Sequence, residues 1–159
     1  MNGQHDTPPA DVRRSPLRWI LPLAAIAIIA AVFLRPQVPT ERRDPFDLSN
    51  GMLAVTDTNY GEVIAGSSVV FLEFSASWCG PCHLQAPIVH RLAEEYAGRV
   101  TFGVVNADSN ETRDTSARHN AHYLPHVVIL REGVAAGSLT GLQTESALRT
   151  AIETALAQP

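Results

Sequence analysis

The chain contains no lysine; all twelve of its basic residues are arginine. Schiff-base and lysine-nucleophile chemistry are thereby excluded. Cysteine is nearly as scarce, with two in 159 residues. That is too few for a disulfide scaffold, and no second pair exists to complete a cysteine zinc site. Positive charge is thin as well: residues 50–159 hold six Arg against eleven acids, within a net charge of −4 for the whole chain. A mildly acidic domain without a basic stripe argues against nucleic acid as a partner. Internal repeats and low-complexity stretches are also missing. The six histidines are the only supplement to the cysteines as soft metal ligands. His83 follows Cys82, and His119, His122 and His126 lie just upstream of the run Val127–Leu130. A Cys/His metal site is conceivable on that basis, but the three clustered histidines read more simply as surface-loop residues, and no cofactor is expected.

One long uncharged run is present, the sixteen residues from Trp19 to Leu34, with Arg13, Arg14 and Arg18 before it and Arg35 after it. A helix of that length rises about 24 Å, slightly short of the ~30 Å hydrocarbon core. Leu17 extends it, flanking arginines can snorkel, and Pro22 falls in the first turn, where a missing N–H costs little. Cleavage of a signal peptide after Ala25-Ile26-Ala27 would leave seven residues up to Leu34, five of them bulky and apolar, at the new terminus. An uncleaved signal-anchor over 17–34 is therefore the preferred reading. Arg35, Arg42 and Arg43 nearly offset the upstream arginines, so charge alone barely orients the span. The short upstream flank places residues 1–16 in the cytoplasm and the remainder in the periplasm or outside the cell. Residues 35–49, with Pro36, Pro39 and Pro45, read as a semi-rigid linker, and residues 50–159 as one globular domain.

Within that domain Leu53–Thr56 is a short edge strand, and Asp57 or Thr58 can cap a helix reaching Ala65. Val69–Phe74 is almost continuously apolar, as in a strand buried on both faces. A helix is expected from Cys79 to Tyr96 with Leu84, Ile88, Val89 and Leu92 inward and a kink at Pro87. Val100–Asn106 is a second central strand, Glu111–His119 a weak helix, and Val127–Leu130 a third strand. Arg131-Glu132-Gly133 turns the chain into an antiparallel partner, Val134–Leu139, and Thr144 caps a final helix carrying Ala147, Leu148, Ile152 and Leu156. This β-α-β-α-β-α-β-β-α order predicts an α/β domain, a mixed central sheet flanked by helices on both faces.

The chemistry concentrates in Trp78-Cys79-Gly80-Pro81-Cys82. On the first turn of a helix this spacing puts one sulfur at the exposed helix end and the other one turn on, close enough to bridge and easily reopened. Free backbone N–H groups and the helix dipole at that end favour a thiolate at Cys79. Cys79 is thus the nucleophile, and the sheltered Cys82 resolves the mixed disulfide. Pro81 suits the first helical turn, and Trp78 offers an apolar surface to a partner.

The segment Phe71-Leu72-Glu73-Phe74-Ser75-Ala76-Ser77-Trp78-Cys79-Gly80-Pro81-Cys82 resembles the active-site segment of the thioredoxin family. The likeness continues through Ala86-Pro87, Val105-Asn106-Ala107-Asp108, Leu124-Pro125 and Gly133, over about residues 52–157. It implies a thioredoxin fold, with Pro125 as a cis-proline facing the cysteines and Leu124 presenting its backbone to an extended substrate. Trp78, Gly80 and Pro81 complete the substrate-binding surface it implies. It further implies that Glu73 is a buried carboxyl that accepts the Cys82 proton; a strand-edge Glu facing solvent is the simpler alternative. Four positions depart from the family's pattern. Val104 stands where a Lys is usual beside the acid, which should raise the Glu73 pKa further. Ser75 replaces a Trp, His83 a Lys or Arg, and His126 a Thr.

The function expected is a membrane-anchored thiol–disulfide oxidoreductase that reduces protein disulfides outside the cytoplasm. It would serve redox homeostasis, with cytochrome c maturation as a candidate task, and draw electrons from a transmembrane donor. Relatives specialised for apocytochrome c commonly carry an extra insert, for which Val100–Leu124 has no room. Two alternatives remain: a disulfide oxidase or isomerase, disfavoured by Gly80-Pro81, and a non-catalytic binding module, disfavoured by the intact cysteine pair.

Overall fold

A computed structural model describes residues 41–158. The cytoplasmic segment, the signal-anchor and the first part of the linker expected from the sequence lie outside the described residues. Among the described residues no helix is long and apolar enough to cross a membrane.

The elements follow in the order β1 (Leu53–Ala54), α1 (Tyr60–Ala65), β2 (Val69–Ser75), α2 (Gly80–Glu95), β3 (Thr101–Asn106), a 3-10 turn (Asn110–Thr112) leading into α3 (Arg113–Arg118), β4 (His126–Arg131), β5 (Val134–Thr140) and α4 (Glu145–Ala157). The five strands form one mixed sheet in the order β1-β3-β2-β4-β5. β1, β3 and β2 run parallel, and β4 pairs antiparallel with both β2 and β5. Every residue of β2 is buried, because this central strand is covered on both faces.

Side chains alternate across β2 and so divide the core in two. Val69 and Phe71 pack with Phe102, Val127 and Ile129 beneath Ile88, Val89 and Leu92 of α2 and Leu148 and Ile152 of α4. Val70, Leu72 and Phe74 pack on the other side with Val105, Val128 and Val63 of α1. Thr144 caps α4 by accepting a hydrogen bond from the Ala147 N–H at 3.2 Å. Glu95, Arg149, Glu145 and Arg91 form a surface ion-pair chain that ties α2 to α4.

Three local expectations differ from what is found. The cap of α1 is Asn59, whereas Asp57 accepts bonds from the Thr115 N–H and hydroxyl at 2.8 and 2.7 Å and anchors α3 instead. Those bonds hold the Asp57 carboxyl below its ordinary pKa. On α2 the half-exposed Leu84 is displaced from the inward face by the fully buried Gln85, whose amide finds polar partners inside. As expected, Pro87 lies inside this single helix. Finally, Glu41–Ser49, read as distal linker, folds onto the domain at several points. Pro45 is buried and Phe46 packs against the core, and the Arg43 N–H donates to the His83 carbonyl at 2.9 Å.

Candidate active site

Strand β2 ends at Ser75, and after three intervening residues the chain enters α2 with Cys79 as N-cap. The Cys79 sulfur accepts the Cys82 N–H at 3.2 Å, and its carbonyl accepts the same N–H at 3.0 Å. Gly80 and Pro81 form the first turn, where proline's missing N–H has no helical partner to lose. Cys79 and Cys82 are joined in a disulfide, with Cα atoms 5.3 Å apart. The expectation of an exposed Cys79 sulfur does not hold in this bonded form. Cys79 is only 3 % exposed and Cys82 fully buried, because Ala76 and Leu124 pack against the pair.

Around this buried bond the surface is aromatic. Trp78 is 69 % and Tyr123 78 % exposed. The indole N–H of Trp78 donates to Asp108 Oδ2, which fixes the ring at one wall of a groove of about 370 Å³ shared with Tyr123, His122 and Leu124. The Leu124–Pro125 peptide is cis. The Pro125 carbonyl accepts the Gly141 N–H at 2.8 Å, whereas neither backbone polar group of Leu124 has a partner among the described residues.

Glu73 lies two residues before the end of β2 and is fully buried, so it is not a strand-edge carboxylate facing solvent. Burial pushes its carboxyl up to about 8, against the opposing pull of a hydrogen bond from Gln85. That bond runs from Gln85 Nε2 to Glu73 Oε1 at 3.1 Å, while Oε2 has no partner among the described residues. Val104 sits in register with Glu73 on β3, placing an aliphatic side chain beside the acid. Ser75 is buried, and its hydroxyl is also unpartnered.

The histidines divide. His83 bridges the Ser77 carbonyl at 2.8 Å and the Arg43 carbonyl at 3.0 Å, linking the segment before β1 to the loop that precedes Cys79. His126 is not a loop residue: it opens β4, is buried, and contacts the Thr140 hydroxyl at 2.8 Å. His119 contacts the Tyr60 hydroxyl at 2.7 Å. Burial lowers the pKa of both, while His122 is exposed at the groove. Among the described residues no three of His, Cys, Asp and Glu gather in a way that could hold a metal ion.

Sequence reasoning missed Gln85, Asp108 and Tyr123 as members of the site. The only signal for Gln85 was its place three residues after Cys82, on the inward face of the helix.

The arrangement is that of a dithiol able to pass its disulfide to and from another molecule. The family model for thioredoxin matches residues 51–154. The chloroplastic M-type thioredoxin of Pisum sativum is 32 % identical over 105 residues, which cover 65 % of this chain and 60 % of that protein. The thioredoxin of Alicyclobacillus acidocaldarius is 31 % identical over 96 residues, covering 60 % of this chain and 90 % of that one. Among solved structures, a mutant thioredoxin from Halobacterium salinarum superposes with a TM-score of 0.60 at 27 % identity, over 68 % of this chain and 92 % of that one.

Proposed function

The chain belongs to the thioredoxin family, and on that premise we propose that it is a membrane-anchored thiol–disulfide oxidoreductase that reduces protein disulfides outside the cytoplasm. The observation that carries the chemistry is the Cys79–Cys82 disulfide at the head of α2, beside an exposed Trp78. The anchoring rests on the uncharged run Trp19–Leu34 and its flanking arginines.

In the reducing direction the Cys79 thiolate attacks one sulfur of a substrate disulfide. A Cys79–substrate bond forms, and the substrate's own S–S bond breaks, releasing its other sulfur as a thiolate. Cys82 then gives its proton to Glu73 and attacks the Cys79 sulfur. The second substrate sulfur leaves, and the Cys79–Cys82 bond remains. Two electrons have passed from the dithiol to the substrate. An external thiol donor must return them, and in an oxidising compartment that donor is fed across the membrane. An extended substrate segment pairs with the free backbone groups of Leu124, as an added strand would, and lies between Trp78 and Tyr123.

Protease treatment of intact cells, followed by separation of membranes, tests the location. The reading requires the domain to be membrane-bound and cleaved from outside. A protease-resistant domain released in the soluble fraction would overturn it.

A further inference from the structure

Gln85 is fully buried on α2, and both ends of its amide are committed. Oε1 accepts the Gln143 backbone N–H at 2.9 Å, in the turn before α4. A backbone N–H can only donate, so this bond identifies the amide oxygen and turns the NH2 group the other way. There it meets Glu73 Oε1 at 3.1 Å. One carboxyl oxygen is thus occupied, and Oε2 is left without a partner among the described residues. Cys82 and Gln85 are three residues apart on one helix and both are fully buried, so they occupy neighbouring places on the face turned toward β2. Glu73 is therefore hydrogen-bonded to the residue that lies one helical turn from the resolving cysteine. Ser75, on the same face of β2 but closer to the cysteines in sequence, adds a buried hydroxyl that is also unpartnered.

We propose that Gln85 is a positioning residue for the dithiol: clamped by the Gln143 N–H, it donates to Oε1 of Glu73 and holds Oε2 as the atom that takes the Cys82 proton. This rests on the reading of Glu73 as proton acceptor. In the step concerned the Cys82 S–H bond breaks and its proton goes to Oε2. The electron pair left on sulfur forms the bond to the Cys79 sulfur, and the substrate sulfur departs with the pair of the bond it shared with Cys79. A donated hydrogen bond favours the carboxylate over the acid, so Gln85 offsets part of the effect of burial. It thereby widens toward neutral pH the range in which Glu73 can accept a proton. The aliphatic Val104 beside the acid supplies no charge to do this, which leaves the task to the amide.

The test is single-turnover reduction of a chromogenic aromatic disulfide by the reduced full-length chain, followed between pH 5 and 10. The first thiolate released reports attack by Cys79 and the second reports resolution by Cys82. Glu73→Gln should slow the second phase and erase its Glu73-dependent inflection. Gln85→Leu should keep that inflection and move it to higher pH by about one unit, with the first phase unchanged. Gln85→Met, nearer to glutamine in shape, repeats the test should the leucine variant fail to fold. An inflection unmoved in the Gln85 variants but erased by Glu73→Gln overturns the role of Gln85 and leaves that of Glu73 standing. A second phase indifferent to Glu73→Gln overturns both.

Discussion

Glu73 and Val104 are direct neighbours across the parallel pairing of β2 with β3. A fully buried carboxyl thus shares its place in the sheet with an isopropyl group, and among the described residues its only hydrogen bond comes from an amide. Charging such a group is costly, which is why its carboxyl is pushed up to about 8.

The stability of the fold should therefore fall as pH rises. With a folded pKa near 8 against 4.5 for the ordinary carboxyl, the folded state holds a proton that the unfolded state has lost between those values. The stabilising contribution is complete below pH 4.5 and is lost progressively as pH approaches 8. Chemical denaturation of Glu73→Gln and the parent across this window should show the variant gaining on the parent, by up to about 1.4 kcal/mol per pH unit. A constant difference would mean that Glu73 titrates like an exposed carboxyl.

The cysteines should separate by role. Cys79→Ser should abolish turnover of a disulfide-bonded protein. Cys82→Ser should instead leave substrates attached to Cys79, as adducts that a reductant dissolves on a non-reducing gel. Adducts formed by Cys79→Ser in place of Cys82→Ser would reverse the assignment.

Trp78 is mostly exposed, so its value should lie in substrate contact more than in the fold. Trp78→Ala should raise KM for a protein disulfide several-fold, leave the reduction of a small disulfide nearly unchanged, and cost less than about 1 kcal/mol in unfolding free energy. Asp108→Ala, which frees the indole N–H, should move KM in the same direction by less. Equal losses on large and small substrates would place the tryptophan in the chemistry itself.

Much of the sheet was legible because burial on both faces leaves a continuous apolar run, as at Val69–Phe74, and Arg131-Glu132-Gly133 marks its own turn. The cysteine motif was legible because its spacing has one chemical meaning at a helix start. Gln85 was not: on an apolar helix face an amide reads as a solvent-facing residue unless its two partners are known, and these are 12 and 58 residues away. Asp57 was misread for a similar reason, since capping chemistry is local but its true partners, Asp114 and Thr115, are distant in sequence. Phe46 and Arg43 looked like linker because nothing in the local sequence reveals that Phe46 joins the core or that the Arg43 N–H finds His83 forty residues on.

A side chain at Gly103 would force its neighbours to move. A Cβ there would stand 2.6 Å from Val55 Cγ2 and 3.0 Å from Leu72 Cδ2, and a β-branched valine has little freedom to retreat. Gly103→Ala should destabilise the domain by about 1–3 kcal/mol, read as a lower midpoint in chemical denaturation with the activity of the folded fraction retained. An unchanged midpoint would mean that the Val55 and Leu72 side chains give way more easily than their packing indicates.

The most direct test of a reducing role is the equilibrium reduction potential of the Cys79–Cys82 pair in the full-length chain, titrated in a thiol redox buffer. A value of about −270 mV, typical of thioredoxin, is predicted and agrees with the proposed reducing direction. A value near about −120 mV would make the chain a donor of disulfides and contradict the proposed direction of electron flow.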